Sequence, residues 1–162
     1  MKKMLKMLAI AVFALVAFGA CQKEKSIDTN VQLGIDSMLI KDFVAKNAIR
    51  DVKQLGSTGL YYKIIEPGIG GGIYKESSLI KANYTGRLLS GSIFDKSITE
   101  PFQFYLGGNV IFGWKLGVPL IKKGGIIRLF IPSNYGYGPA GSGPIPANAV
   151  LDFDIELVDV QY

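Results

Sequence analysis

Leu151, Phe153, Ile155 and Leu157 stand two residues apart, with Asp152, Asp154 and Glu156 between them. A strand turns successive side chains to opposite faces, so this period of two predicts a strand with one buried and one solvated side. The three acids are read as the wet side of that strand, not as a metal site or a catalytic carboxylate pair. The alternation recurs at Ile127, Leu129 and Ile131 before Pro132, and at Phe102, Phe104 and Leu106 around Gln103 and Tyr105. Leu60 to Glu66 and Ser78 to Leu89 read as two further strands, the first closed by Pro67-Gly68, the second with a bulge at Gly86. Gly68-Ile69-Gly70-Gly71-Gly72 is followed by no Lys-Ser/Thr and opens no helix, so it is read as a hairpin turn and not a phosphate cradle.

Between Gly107-Gly108 and Gly124-Gly125, Val110 to Ile121 is apolar and has room for about three helical turns or fewer. Ser133 to Asn148 is a long loop rich in Gly, Pro and Tyr. The expected class is α+β, an antiparallel sheet with one wet face crossed by a single short helix. Ahead of it, Asp36 to Asn47 predicts another short helix. Asp36 serves as N-cap, Leu39/Phe43 and Ile40/Val44 form i,i+4 apolar pairs, and Asn47 takes the left-handed end. A dozen residues rarely make an independent module, so this helix is expected to pack back on the domain in preference to serving as a partner-binding element.

The first residues form a leader. Lys2, Lys3 and Lys6 precede an apolar run from Met7 to Ala20, too short for a membrane-spanning helix but suited to a signal peptide. Phe18-Gly19-Ala20-Cys21 resembles the lipobox of bacterial lipoproteins, which implies lipidation of Cys21 and attachment to a lipid bilayer in the cell envelope. Gln22 directly after the cysteine resembles lipoproteins sorted onward to the outer membrane, on either of its faces. Gln22 to Val31 is polar and aperiodic, a flexible tether. The expected division is 1–20 signal peptide, 21–35 tether, 36–56 helical extension and 57–162 the folded domain.

Charge and composition remove several function classes. The chain has 18 Lys+Arg and 13 Asp+Glu, but setting aside the three leader lysines leaves 15 against 13, a net of +2. No basic run is interleaved with aromatics, so nucleic acid is not an expected partner. Without histidine there is no Ser-His-Asp triad and no His-ligated zinc, and one cysteine makes no internal disulfide. Neither metal nor cofactor is expected.

What stands out is aromatic and aliphatic: Tyr84, Phe94, Phe102, Phe104, Val110, Ile111, Trp114, Tyr137, Ile145 and Phe153, drawn from separate strands, the helix and the loop. Side chains of this kind are mostly core. Yet Asp95 follows Phe94, and Tyr135 and Tyr137 lie in a glycine-rich loop, where large apolar groups are uncommon.

Tyr84-Thr85-Gly86-Arg87-Leu88 followed by Gly91-Ser92-Ile93-Phe94-Asp95 resembles the YTGxL…GxxFD signature of FKBP-type peptidyl-prolyl isomerases. Pro101-Phe102-Gln103-Phe104, Val110-Ile111-Phe112-Gly113-Trp114, Ile131-Pro132-Ser133-Asn134-Tyr135-Gly136-Tyr137-Gly138 and Ile145-Pro146-Ala147-Asn148 through Leu157 resemble that family's later blocks in order. The likeness covers about Gly59 to Tyr162.

The resemblance implies a strongly twisted antiparallel sheet wrapped around one short helix, with a cleft between them. Trp114 would be its floor, Tyr84, Phe94, Phe104 and Phe153 its walls, and Phe102, Val110 and Ile111 its rim, with Ile145 also against the substrate. Tyr137 would donate its hydroxyl to a substrate carbonyl, and Asp95 would be the cleft carboxylate, either polarising the site electrostatically or, the favoured role, holding Tyr84 or a neighbouring loop. The implied activity is cis/trans isomerisation of X-Pro bonds in exported polypeptides. The alternatives are a proline-peptide-binding module using the same cleft without turnover, and a glycan-binding lipoprotein, which should instead expose its aromatics on an open face. The family's macrolides are candidate ligands. The chain departs from the family between Asp95 and Pro101, at Gly108-Asn109 and across Pro139 to Pro144, so substrate preference is not read from the resemblance.

Overall fold

The structure is a computed structural model and describes residues 29–162. The expected signal peptide, Cys21 and the first part of the expected tether lie outside the described residues. In chain order the elements are α1 (Thr29–Lys46), β1 (Lys53–Gln54), β2 (Tyr61–Glu66), β3 (Leu79–Leu88), β4 (Ile93–Lys96), β5 (Phe102–Tyr105), α2 (Phe112–Gly117), β6 (Ile126–Ile131) and β7 (Leu151–Gln161). Short 3-10 turns occupy Val118–Leu120, Ser133–Tyr135 and Gly138–Ala140. No described helix is long and apolar enough to cross a membrane.

The strands form one seven-stranded antiparallel sheet in the order β1-β2-β6-β7-β3-β4, with β5 also on β3. Strand β3 pairs with β7 along one edge and divides its other edge. Leu79 to Ala82 take β5 and Thr85 to Arg87 take β4, with the register shifting between Gly86 and Arg87. The bulge expected at Gly86 is therefore present, within the stretch of β3 that pairs with β4.

The inward positions follow the period-two reading. Ile127, Leu129 and Ile131 of β6 and Leu151, Phe153, Ile155 and Leu157 of β7 share one core with Ile80, Trp114, Val118 and Ile121. Helix α2 comes very close to β6 because two of its residues lack side chains. A Cβ on Gly113 would stand 2.4 Å from Ile131 Cγ2, and one on Gly117 would stand 2.4 Å from Leu129 Cδ1. That approach sets Trp114 deep against the sheet.

Five expectations are corrected. The helix begins at Thr29, not Asp36, so residues 29–35 of the expected tether are helical. Asp36 is no cap; it is buried and points into the domain, and the left-handed residue after the helix is Ala48 (φ 50°), not Asn47. The extension to residue 56 is not purely helical, because β1 adds an edge strand to β2. The opposite sheet face is not uniformly wet either. Ile40, with Phe43 and Val44 beside it, packs on Tyr61, Phe130 and Val150. Burial of Asp152 belongs to this correction: it is only 2% exposed, beneath Arg128, whose Nε and Nη2 donate to its two oxygens at 2.8 and 2.7 Å. Finally, Gly68 to Gly72 is not a hairpin turn. Strands β2 and β3 are not neighbours, and the segment crosses between them, pinned by an isolated bridge from Ile69 to Lys123.

Candidate functional site

A cleft of about 570 Å³ opens between α2, the strands β3, β4 and β7, and the loop after β6. Its floor is Trp114, 4% exposed, carried by α2. Tyr84 (β3) meets the indole edge-on at a centroid distance of 5.1 Å, and Phe153 (β7) does so at 5.4 Å. Phe94 (β4) stands edge-on to Phe153 at 5.5 Å, and Phe102 (β5) edge-on to Tyr84 at 6.0 Å. Edge-to-face contacts of this kind contribute about 0.5–1.5 kcal/mol each beyond burial, so the rings hold one another at fixed angles.

Register explains why these rings meet. Gly86 lies opposite Phe153 on β7 and Asp95 on β4, so no side chain comes between Phe94 and Phe153. Ser97, just past β4, ties the strand to Tyr84 from both sides: its Oγ accepts the Tyr84 N–H at 3.0 Å, and its own N–H donates to the Tyr84 carbonyl at 3.1 Å. Val110 and Ile111 line the cleft at the approach to α2.

Polar groups in the cleft are few and unequally engaged. The Tyr84 hydroxyl donates to Asp95 Oδ2 at 2.6 Å, while Asp95 Oδ1 accepts the Lys96 N–H at 2.8 Å. Asp95 thereby fixes the Tyr84 ring. Burial, then the Asp95 hydrogen bond and charge, raise the Tyr84 phenol well above its usual range. Burial and the Asp95 charge also push up Tyr137. Tyr137, 37% exposed, lines the cleft and its hydroxyl has no partner among the described residues. The indole N–H of Trp114 is buried and likewise unpartnered. No group of three or more His, Cys, Asp or Glu among the described residues is placed to hold a metal. The arrangement offers an apolar medium, a rigid floor and a free phenolic donor, and no nucleophile paired with a base.

Of the residues expected at the site, Tyr84, Phe94, Asp95, Phe102, Val110, Ile111, Trp114, Tyr137 and Phe153 are brought together around the cleft. Phe104 and Ile145 do not line it. Phe104 is buried, stacked on Phe102 at 5.5 Å and 5.3 Å from Trp114, so it backs the floor; Ile145 lies in the core. Asn109, Phe112 and Gly136 line the cleft without having been anticipated. Phe112 follows Val110-Ile111 directly, and that adjacency was its available signal; Asn109 carried none.

Comparison with known proteins agrees with this geometry. A family profile described as FKBP-type peptidyl-prolyl cis-trans isomerase matches residues 71–158. The FKBP-type peptidyl-prolyl cis-trans isomerase FkpA of Escherichia coli K12 is 45% identical over 123 residues, 75% of this chain and 45% of that protein. FK506-binding protein 1 of Saccharomyces cerevisiae is 45% identical over 100 residues, 59% of this chain and 88% of that protein. The crystal structure of E. coli FkpA superposes with a TM-score of 0.68 at 36% identity, covering 99% of this chain and 71% of that one. That of a peptidyl-prolyl cis-trans isomerase from Pseudomonas syringae pv. tomato gives 0.66 at 33% identity, covering 84% and 98%. The chain spans about half the length of FkpA, the curated relative of E. coli. By the extent of these matches, the chain belongs to the FKBP-type peptidyl-prolyl cis-trans isomerase family.

Proposed function

We propose that this chain is a peptidyl-prolyl cis/trans isomerase acting on proline-containing polypeptides of the cell envelope. One observation carries the reading: an apolar cleft floored by Trp114 has, on its wall, the unpartnered hydroxyl of Tyr137. Rotation about an X-Pro bond breaks no covalent bond, and its barrier of about 18–20 kcal/mol is the amide resonance lost on twisting. The planar amide is the more charge-separated form and is favoured by water, so a dry aromatic site relatively favours the twisted one. Trp114, Tyr84, Phe94 and Phe153 supply that medium and grip the proline ring. Phe102, Val110 and Ile111 contact the flanking residues, Phe104 steadies the floor from behind, and Ile145 supports the loop side.

Tyr137 donates to the substrate carbonyl and holds it while the rest of the chain turns. Asp95 orients Tyr84 and moves no proton. An acceleration of ~10⁴–10⁶ requires about 5–8 kcal/mol, within reach of desolvation and orientation together. The family's macrolides would occupy the same cleft.

The apolar run ending Gly19-Ala20-Cys21 supports export and a lipid anchor at Cys21, with the outer membrane as destination. The test of the catalytic reading is cis-to-trans isomerisation of a short X-Pro peptide by the chain from Gln22 to Tyr162, beside a Trp114→Ala/Tyr137→Phe variant. Acceleration that collapses in the variant is the expected result. A folded wild-type chain that binds the peptide without accelerating it would leave only a binding module. Incorporation of labelled palmitate that survives Cys21→Ser would refute the anchor.

A further inference from the structure

We infer that Asp36 of α1 is a positioning residue for the cleft, fixing through Ser133 the loop that carries the Tyr137 hydroxyl. The inference rests on the isomerase reading above. Asp36 is 0% exposed, and no described cation pairs with it. An unpaired carboxylate on a buried helix face is costly, and an apolar residue there would simply extend the face made by Ile40, Phe43 and Val44. Asp36 is satisfied instead by donors. Its Oδ2 accepts both the N–H and the hydroxyl of Ser133, each at 2.7 Å, and its Oδ1 accepts the Gln32 amide at 2.7 Å. Hydrogen bonds to an ionised acceptor are the strong kind, and two of these grasp one residue of the loop.

Ser133 is where the loop leaves β6. It is 1% exposed and begins the 3-10 turn Ser133–Tyr135, and its carbonyl accepts the Gly136 N–H at 3.0 Å. Tyr137 is the next residue. On the far side the Gly138 carbonyl accepts the Asn148 N–H at 2.9 Å, which secures the exit of the segment. Between those two ties Tyr137 sits at φ −106°, ψ 3°, and Gly138 takes a left-handed φ of 61°. The ring is partly exposed and its hydroxyl is free, so nothing local fixes where the donor points. The entry tie comes from α1, which lies outside the residues 71–158 matched by the family profile. Through that tie, a helix beyond the family-matched region governs a donor in the cleft.

The test is a double-mutant cycle in X-Pro isomerisation, Asp36→Ala in the wild-type and in the Tyr137→Phe background, with folding checked by urea denaturation. If Asp36 acts through the Tyr137 hydroxyl, Asp36→Ala lowers kcat by about tenfold with KM changed less than about twofold, and costs less than about twofold once the hydroxyl is gone. Asp36→Asn, which keeps a carbonyl acceptor for Ser133, restores most of the rate. Should Asp36→Ala fail to fold, Ser133→Ala, which removes the hydroxyl donor to Asp36, runs the same cycle. Equal losses in both backgrounds, or no loss in folded Asp36→Ala or Ser133→Ala, overturn the inference. A wild-type chain without acceleration overturns the isomerase reading instead. The tether is then decided by the heteronuclear NOE of the Gly136 to Gly138 amides, which falls in Asp36→Ala if Asp36 holds the loop; an unchanged NOE refutes it.

Discussion

Gly86→Ala is the sharpest perturbation available to the cleft, because one methyl group enters between two of its walls. A Cβ at that position would stand 2.6 Å from Phe153 Cε1 and 2.7 Å from Phe94 Cε2 and Cζ. Carbon atoms rest at about 3.5–4.0 Å, so the two rings must retreat by roughly 1 Å between them and the new group. Phe153 is 3% exposed and bears on Trp114 at 5.4 Å, so its retreat displaces the floor. Phe94 is only partly buried and yields more easily. Overpacking of this kind costs about 1–3 kcal/mol of stability. A displacement near 1 Å of groups that orient a substrate costs on the order of 10–10²-fold in rate. Urea denaturation reads the first effect, and isomerisation of an X-Pro peptide at fixed folded concentration reads the second. A Gly86→Ala protein with wild-type midpoint and wild-type rate would refute the claim that this glycine sets the spacing of the walls.

The remaining predictions follow the same physics elsewhere. Gly34, inside α1, has nothing within 4 Å of its would-be Cβ, so Gly34→Ala should raise stability by about 0.4–1 kcal/mol in urea denaturation. Arg128→Leu strands the buried Asp152 carboxylate and should cost about 3–5 kcal/mol in the same assay, whereas Arg128→Leu with Asp152→Leu should cost far less. In alkali, Tyr84 and Tyr137 keep their protons in the folded chain beyond the pH near 10 at which the unfolded chain loses them. Their contribution to stability is thus fully present below about pH 10 and is lost as pH rises above it. Phenolate absorbance for these two rings should therefore appear only with unfolding, and Tyr84→Phe/Tyr137→Phe should flatten the alkaline limb of the stability curve.

Alternation in a strand tells which residues share a face, and for β6 and β7 it placed Ile127, Leu129, Phe153 and Ile155 inward correctly. It is silent on what covers the other face. Asp152 alternates as a wet residue should, yet it is buried under Arg128 in a sheet partly roofed by α1. That cover depends on residues far away in sequence, and periodicity within one strand carries no trace of it. Asp36 misled for a related reason. Asp before an apolar run is the ordinary signature of a helix start, and only the tertiary partner Ser133 shows that this one belongs mid-helix. The convergence of Phe94, Trp114 and Phe153 was legible only through the family resemblance, since local pattern does not bring separate strands together. Phe104 shows the remaining gap: an apolar side chain on the correct strand can stand behind a wall as readily as in front of it.

Strand β7 is the last element in sequence, yet it lies inside the sheet, between β6 and β3. Without Leu151 to Gln161, β1, β2 and β6 would form one ribbon and β3, β4 and β5 another, with no backbone pairing between them. The chain therefore emerges as two incomplete sheets and cannot close until its final strand arrives. Such non-local pairing makes closure slow and cooperative, since the entropy of two long loops is lost before β7 returns its hydrogen bonds. The aromatic floor has no Phe153 to rest on before that moment, so partly synthesised or truncated chains should be catalytically silent and present open strand edges to their neighbours.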